Sequence, residues 1–287
     1  MSVAARERWL PASKSNSAPA IDGAGFDPAV DGFGFDNYST PPVPPKPAEF
    51  VSEGDVLRYL TAYWDTALRA QLTLPLNGGP EPRIRGIAEQ LCANADRLFG
   101  TKGYCYGMAA TAQWYFEEPA VVPVDRDSTS EIVHVDDPLE DGSATPVRDD
   151  IELFHRAQFL NADSWLRRWP LLRPERIDYR SQERELRATI DEFGSAGVTI
   201  SGDNVLKGHY VLLYDYEATD TGVTFTAYDP NDDADEHAAE ESRTIGIDTT
   251  SYEPLMGSYD EEYDRFLFNP EDRAIRARAR SKARRTR

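Results

Sequence analysis

An α+β fold is predicted by a change of period along the chain. Residues 52–193 carry apolar side chains at helical spacing. From Gly197 onward, apolar and polar positions alternate in short runs rich in Val, Ile, Tyr and Phe. Helices first and strands later argue for one domain in which helices pack on an antiparallel sheet. With 287 residues there is ample length for a core.

Residues 1–48 read as a disordered or extended arm. The first 25 are rich in Ser, Ala, Pro and Gly, and a Pro-rich stretch from Pro41 to Pro47 follows. Between them Phe26, Phe33, Phe35 and Tyr38 stand in a polar context, which predicts rings pinned in surface pockets or a flexible lead-in. The main domain spans 49–270. Ser52 and Asp55 cap a first helix, with Val56, Leu57, Leu60, Tyr63 and Trp64 on its apolar face, ending near Gln71. A second helix is expected over 83–99, with Cys92 beside its inner face as a packing residue.

Gly103-Tyr104-Cys105 then opens a third helix. Met108, Ala109, Ala112, Tyr115 and Phe116 are its apolar positions and Pro119 its stop. Residues 120–150 form an acidic excursion with a short strand expected over 132–135. Helices follow over 149–169 and over 181–193, the latter opened by a cap at Ser181. Strands are expected over 198–200, 209–216, 223–229, 242–248 and 265–268, with 217–222 as the turn between the second and third.

Composition narrows the function classes. Fifty acidic against 31 basic residues leave a net charge of −19, spread along the chain, which reads as a halophile's surface. Such a body is expected to bind neither nucleic acid nor anionic membranes. No apolar run is long enough for membrane insertion, and Met1–Leu10 shows no secretory signal. Two cysteines make no disulfide framework and point to a reducing, cytoplasmic compartment. The exception to the acidity is a basic tail at 271–287, expected as a disordered end or as a dock for an acidic surface.

The candidate chemistry gathers on few residues. A cysteine at a helix N-terminus sits among unpaired N–H groups that favour the thiolate, the form that attacks carbonyls. The bland alternative for Cys105 is a small residue packed at the start of a core helix. His209 opens a strand and alternates with Val211, Leu213 and Asp215 on one face, and Asp229 alternates likewise with Ala227, Phe225 and Val223. Closing the hairpin over 217–221 sets His209 opposite Asp229, and a register shifted by two sets it opposite Asn231. Either acceptor would hold the imidazole in one tautomer and make it a better base.

The three segments Gly103-Tyr-Cys105-Tyr-Gly-Met108, Gly208-His209-Tyr-Val-Leu-Leu-Tyr214 and Tyr228-Asp229-Pro-Asn231 together resemble the papain-like cysteine peptidase superfamily in order and context. The nearer likeness is to bacteriocin-leader-peptidase-like microbial proteins. The resemblance implies a papain-like fold, with the cysteine helix packed on a C-terminal sheet and a Cys105–His209–Asp229 triad, or Asn231 as orienter. It also implies a peptide or protein substrate and no cofactor. One position departs: papain-type enzymes place an oxyanion-hole Gln six residues before the cysteine, where this chain has Phe99. Gln90 lies upstream, and Gln113, two turns into the cysteine helix, is the candidate donor. Transglutaminase-like transfer to an amine and a catalytically inactive binding module are the alternatives.

Two metal-like patterns compete. Asp229, Asn231, Asp233, Asp235 and Glu240 match EF-hand positions, but Ala234 stands where that loop requires Gly. His134, Asp136 and Asp137 form a possible ligand set that an acidic loop explains as well. No metal is expected.

Overall fold

The computed structural model describes residues 25–37, 104–122, 126–137, 142, 147–160, 168–203, 208–239, 242–270, 272–273, 276–277 and 280. The helices expected before Cys105, with Cys92, Gln90 and Phe99, lie outside the described residues. The described chain mixes helix and sheet. Its helices are α1 (Pro28–Asp31), α2 (Cys105–Glu117), α3 (Val147–Leu160), α4 (Tyr179–Phe193) and α5 (Ala234–Ala239). Its strands are β1 (Ala196–Ser201), β2 (His209–Ala218), β3 (Gly222–Tyr228), β4 (Arg243–Asp248), β5 (Glu253–Leu255) and β6 (Arg265–Phe268). They form one six-stranded antiparallel sheet in the order β5-β4-β3-β2-β1-β6.

Alternation along the strands builds two core layers. Val198, Val211, Leu213, Phe225 and Ile245 point to one side, where Leu186 and Ile190 of α4 cover them. Tyr210, Leu212 and Tyr228 point to the other, under α2 and α3. The α4 helix is locally specified at both ends. Asp178 is its cap, accepting the Ser181 N–H at 3.2 Å, and Gly194 closes it in the left-handed region at φ 75°. The cap therefore lies three residues before the expected Ser181, whose hydroxyl instead donates to Glu185.

The α2 helix is different in kind, because every residue from Tyr106 to Tyr115 is buried. A helix apolar all round needs cover on every side. It has the sheet on one side, α3 on another and the 25–37 segment on a third. A Cβ on Gly107 would stand 2.4 Å from the Ile151 carbonyl oxygen, so α3 approaches α2 this closely only over glycine.

Two expectations change here, and the tail takes one of the two courses expected of it. The 25–37 segment is no surface arm: Phe26, Phe33 and Phe35 are core residues, with Phe26 5.5 Å from Phe116 and Phe33 6.2 Å from Tyr115, centroid to centroid. The strand expected over 132–135 is replaced by a 3-10 turn at Thr129–Glu131 and a loop. There the Asp137 carboxylate accepts the Val133 and His134 N–H groups at 3.0 Å each, so a local side chain supplies what a neighbouring strand would. The tail's described residues dock on the body. Arg273 pairs with Glu117 at 2.9 Å, while Arg280 pairs with Glu117 and, at 3.5 Å, Glu118. Those carboxylates sit at the C-terminal end of α2, where cations also complement the helix dipole. No described helix is long and apolar enough to cross a membrane.

Candidate active site

His209 is the first residue of β2 and Asp229 the first after β3, so both lie at one rim of the sheet. The hairpin that joins them closes more tightly than expected: Ala218 pairs with Val223, and Thr219 accepts and donates across the turn to Gly222. That register, carried straight on, would set His209 opposite Asp232. A bulge between Leu213 and Asp215 shifts it by one residue, and beyond it Leu212 pairs with Tyr228. Continued to the rim, this places His209 across from Asn231, with Asp229 one pleat away on the same face. A one-residue slip exchanges faces, so the bulge decides which side chains meet. It also removes Asp215 from the face of Leu213, leaving it exposed and paired with Thr226.

By the pleat, His209 shares its face with the α4 layer, whereas Cys105 belongs to a helix in the other layer. The two meet because His209 ends the strand at the rim, where the first turn of α2 arrives. One step further in, the same imidazole would lie under α4. Cys105, a partly buried residue, is the first of α2, and its thiol is within hydrogen-bonding reach of His209 and of the Tyr210 and Tyr106 N–H groups.

The imidazole Nε2 donates to Asp229 Oδ1 at 2.6 Å and lies 3.3 Å from Asn231 Nδ2. With Nε2 so engaged, the contact with Cys105 falls to Nδ1. His209 is 7% and Asp229 2% exposed, so this pair acts in a dry setting. Asp229 also accepts the Asn231 N–H at 2.9 Å through the same oxygen, an Asx turn that stops β3 and fixes the carboxylate. His237 contacts the Asp229 carbonyl at 3.0 Å, and Arg243 lies 3.9 Å from Asp229 Oδ2 while pairing with Asp232.

The charges follow from this packing. Burial alone would push the His209 pKa down, but the Asp229 charge and hydrogen bond, and then Cys105, raise it to about 10. Burial would push the Cys105 thiol up, and the hydrogen bond and charge of His209 outweigh that and lower it. Asp229 is likewise drawn down against its burial, to about 2, chiefly by His209. All three directions favour thiolate, imidazolium and carboxylate together.

Gln113 does not join them. Eight residues along α2 is about 12 Å, and its side chain is buried, donating to the Ser195 carbonyl at 3.2 Å. The oxyanion candidate is thereby corrected to a structural amide that ties α2 to the entry of β1. The Cys105 N–H is free of helical bonding, since the first such bond runs from Met108 to Tyr104. The metal-like patterns are taken up by local structure. Asp233 caps α5 by accepting the Glu236 N–H at 2.9 Å, and Asp235 lies within that helix. His134 Nδ1 accepts the Asp136 N–H, and Asp136 binds Arg148 at 2.5 Å.

Sequence reasoning missed Asn37, Arg243 and His237, none of which carries a local pattern. A shallow cleft opens beside Asn37 and Tyr104, lined by Phe35, Met108, Val135 and Ile151 with Arg148 and Glu152. Comparison with protein-family models, with curated proteins and with solved structures yields no match.

Proposed function

We propose that this protein is a cysteine-dependent acyl-transfer enzyme of papain-like type that hydrolyses a peptide or amide bond. The carrying observation is the relay itself: a thiol at a helix start, within reach of an imidazole whose other nitrogen is held by a buried carboxylate at 2.6 Å. The chain order Cys, His, Asp, and the elements that bear them, support the papain-like reading.

The chemistry runs in two halves. The Cys105 proton already resides on His209, so the thiolate attacks the carbonyl carbon and a C–S bond forms as the C=O becomes an oxyanion. That oxyanion lies beside the Cys105 N–H at the positive end of α2. His209 Nδ1–H then protonates the leaving amine as the C–N bond breaks, leaving a thioester. In the second half, neutral His209 takes a proton from water, hydroxide displaces the thiolate, and a carboxylic acid leaves. Asp229 keeps Nε2 protonated throughout.

Titration with a peptidyl chloromethyl ketone tests this. One equivalent is expected to label Cys105, and Cys105→Ala and His209→Ala are each expected to abolish labelling. Labelling that survives His209→Ala removes the relay. Adding a primary amine during turnover separates hydrolysis from transglutaminase-like transfer by product mass. The orientation of Gln113 favours one other reading, an inactive binding module, which an unlabelled native protein would support.

A further inference from the structure

Asn37 ends the segment that is built into the core, and three hydrogen bonds leave it. Its N–H donates to the Pro230 carbonyl at 2.8 Å. Its Oδ1 accepts the Tyr104 N–H at 2.6 Å, and its Nδ2 donates to Asn231 Oδ1 at 3.0 Å. The side chain is 6% exposed, so these partners are not traded for solvent. Tyr104 is the residue before the nucleophile, and Pro230-Asn231 follows the carboxylate that holds His209. One residue from far upstream thus joins both sides of the relay.

The donors fix the direction of every amide in this chain of contacts. A backbone N–H can only donate, so the Asn37 oxygen must face Tyr104. Its NH2 then faces Asn231, which must meet it with oxygen. The Asn231 amide is left with only its NH2 toward His209 Nε2, at 3.3 Å. An NH2 group cannot accept the imidazolium Nε2–H. Among these side chains Asp229 remains the acceptor, and the stronger, charge-assisted bond is secured.

We infer that Asn37 is a positioning residue for the Cys105–His209 pair, setting the direction of the Asn231 amide and tying the nucleophile's loop to the Asp229 turn. This rests on the proposed relay. Without the Asn37 donor, Asn231 turns its oxygen toward Nε2 and competes with the carboxylate. A neutral acceptor stabilises the imidazolium less, and the thiolate that it balances becomes harder to form.

The test reads the pH profile of Cys105 alkylation by iodoacetamide, which needs no substrate. Four proteins are compared: the full native chain, Asn37→Asp, Asn231→Ala and the double variant, each checked for folding by near-ultraviolet circular dichroism. Asn37→Asp keeps the size and the Tyr104 bond but reverses the donor toward Asn231. Its added charge is common to both members of its background and cancels in the comparison. The response of the acid limb to Asn231→Ala is expected to differ between the two backgrounds by about one pH unit, or about tenfold in rate on that limb. Equal responses would overturn the role of Asn37 while leaving the relay intact. A native protein whose Cys105 alkylates only at the pH of an ordinary thiol would overturn the relay, and this inference with it. Asn37→Ala supplies the same cycle with no added charge, should the Asp variant fail to fold.

Discussion

The two faces of the sheet are built by different means. The α4 face is made of neighbours: a capped amphipathic helix runs directly into β1, and the alternating side chains of β1 to β4 lie beneath it. The α2 face is made of strangers. Segments 25–37, 104–117 and 147–160 meet there, with the basic tail latched to the far end of α2. The relay lies at the rim where the second face reaches round to a histidine whose pleat belongs to the first. The candidate site sits where distant parts of the chain converge, and the locally specified face serves as its floor.

The comparison breaks most sharply under substitution at the two faces. Cys105→Ser is expected to abolish alkylation at this position, and His209→Ala to lower alkylation and turnover by on the order of 100- to 10,000-fold, with the chain still folded. Leu186→Ala on the α4 face is expected to do the reverse. It should cost about 2–5 kcal/mol of stability, read by denaturant melts, and leave the thiol pH profile of the folded protein unmoved. An altered profile in Leu186→Ala would mean that the two faces are coupled more tightly than their packing indicates.

A second effect, smaller in energy, is a pH window. His209 is raised to about 10, so its contribution to stability is full below its ordinary value of 6.5 and is lost as pH rises through about 10. Asp229 is lowered to about 2, so its contribution is full above its ordinary 3.8 and is lost as pH falls through about 2. Between 3.8 and 6.5 both are present. The difference in melting temperature between the native protein and His209→Gln should therefore be largest in that window and shrink on either side. Under the proposed function, turnover is expected to follow a different curve, rising with thiolate formation below the pH of a free thiol and falling near pH 10 as His209 loses its proton.

The smallest effects concern the tail latch and the overall charge. Glu117→Gln removes the carboxylate that Arg273 and Arg280 share, leaving Arg280 with Glu118, and is expected to cost about 1 kcal/mol per pair, an effect confined to the α2 face. With a net charge of −19, the fold as a whole should gain melting temperature from dilute buffer towards molar KCl as repulsion is screened. A flat or falling series would end the halophilic reading and leave the relay untouched.

Much of this was legible in the residues alone, where the information is local. Period two marked the strands from Gly197 on, a Gly-led loop before an apolar run marked Cys105 as a helix start, and the parity of 209, 229 and 231 put the imidazole and its two candidate partners on one face. Local patterns carry no record of which segments touch. The bulge at Tyr214 that decides the hairpin's final register, the burial of Phe33 in the core, and the turn of Gln113 away from the thiol all depend on neighbours far along the chain. Asn37 shows the reason most plainly: its partners lie 67 and 194 positions away, and only the closing of the α2 face brings their donors and acceptors within 3 Å.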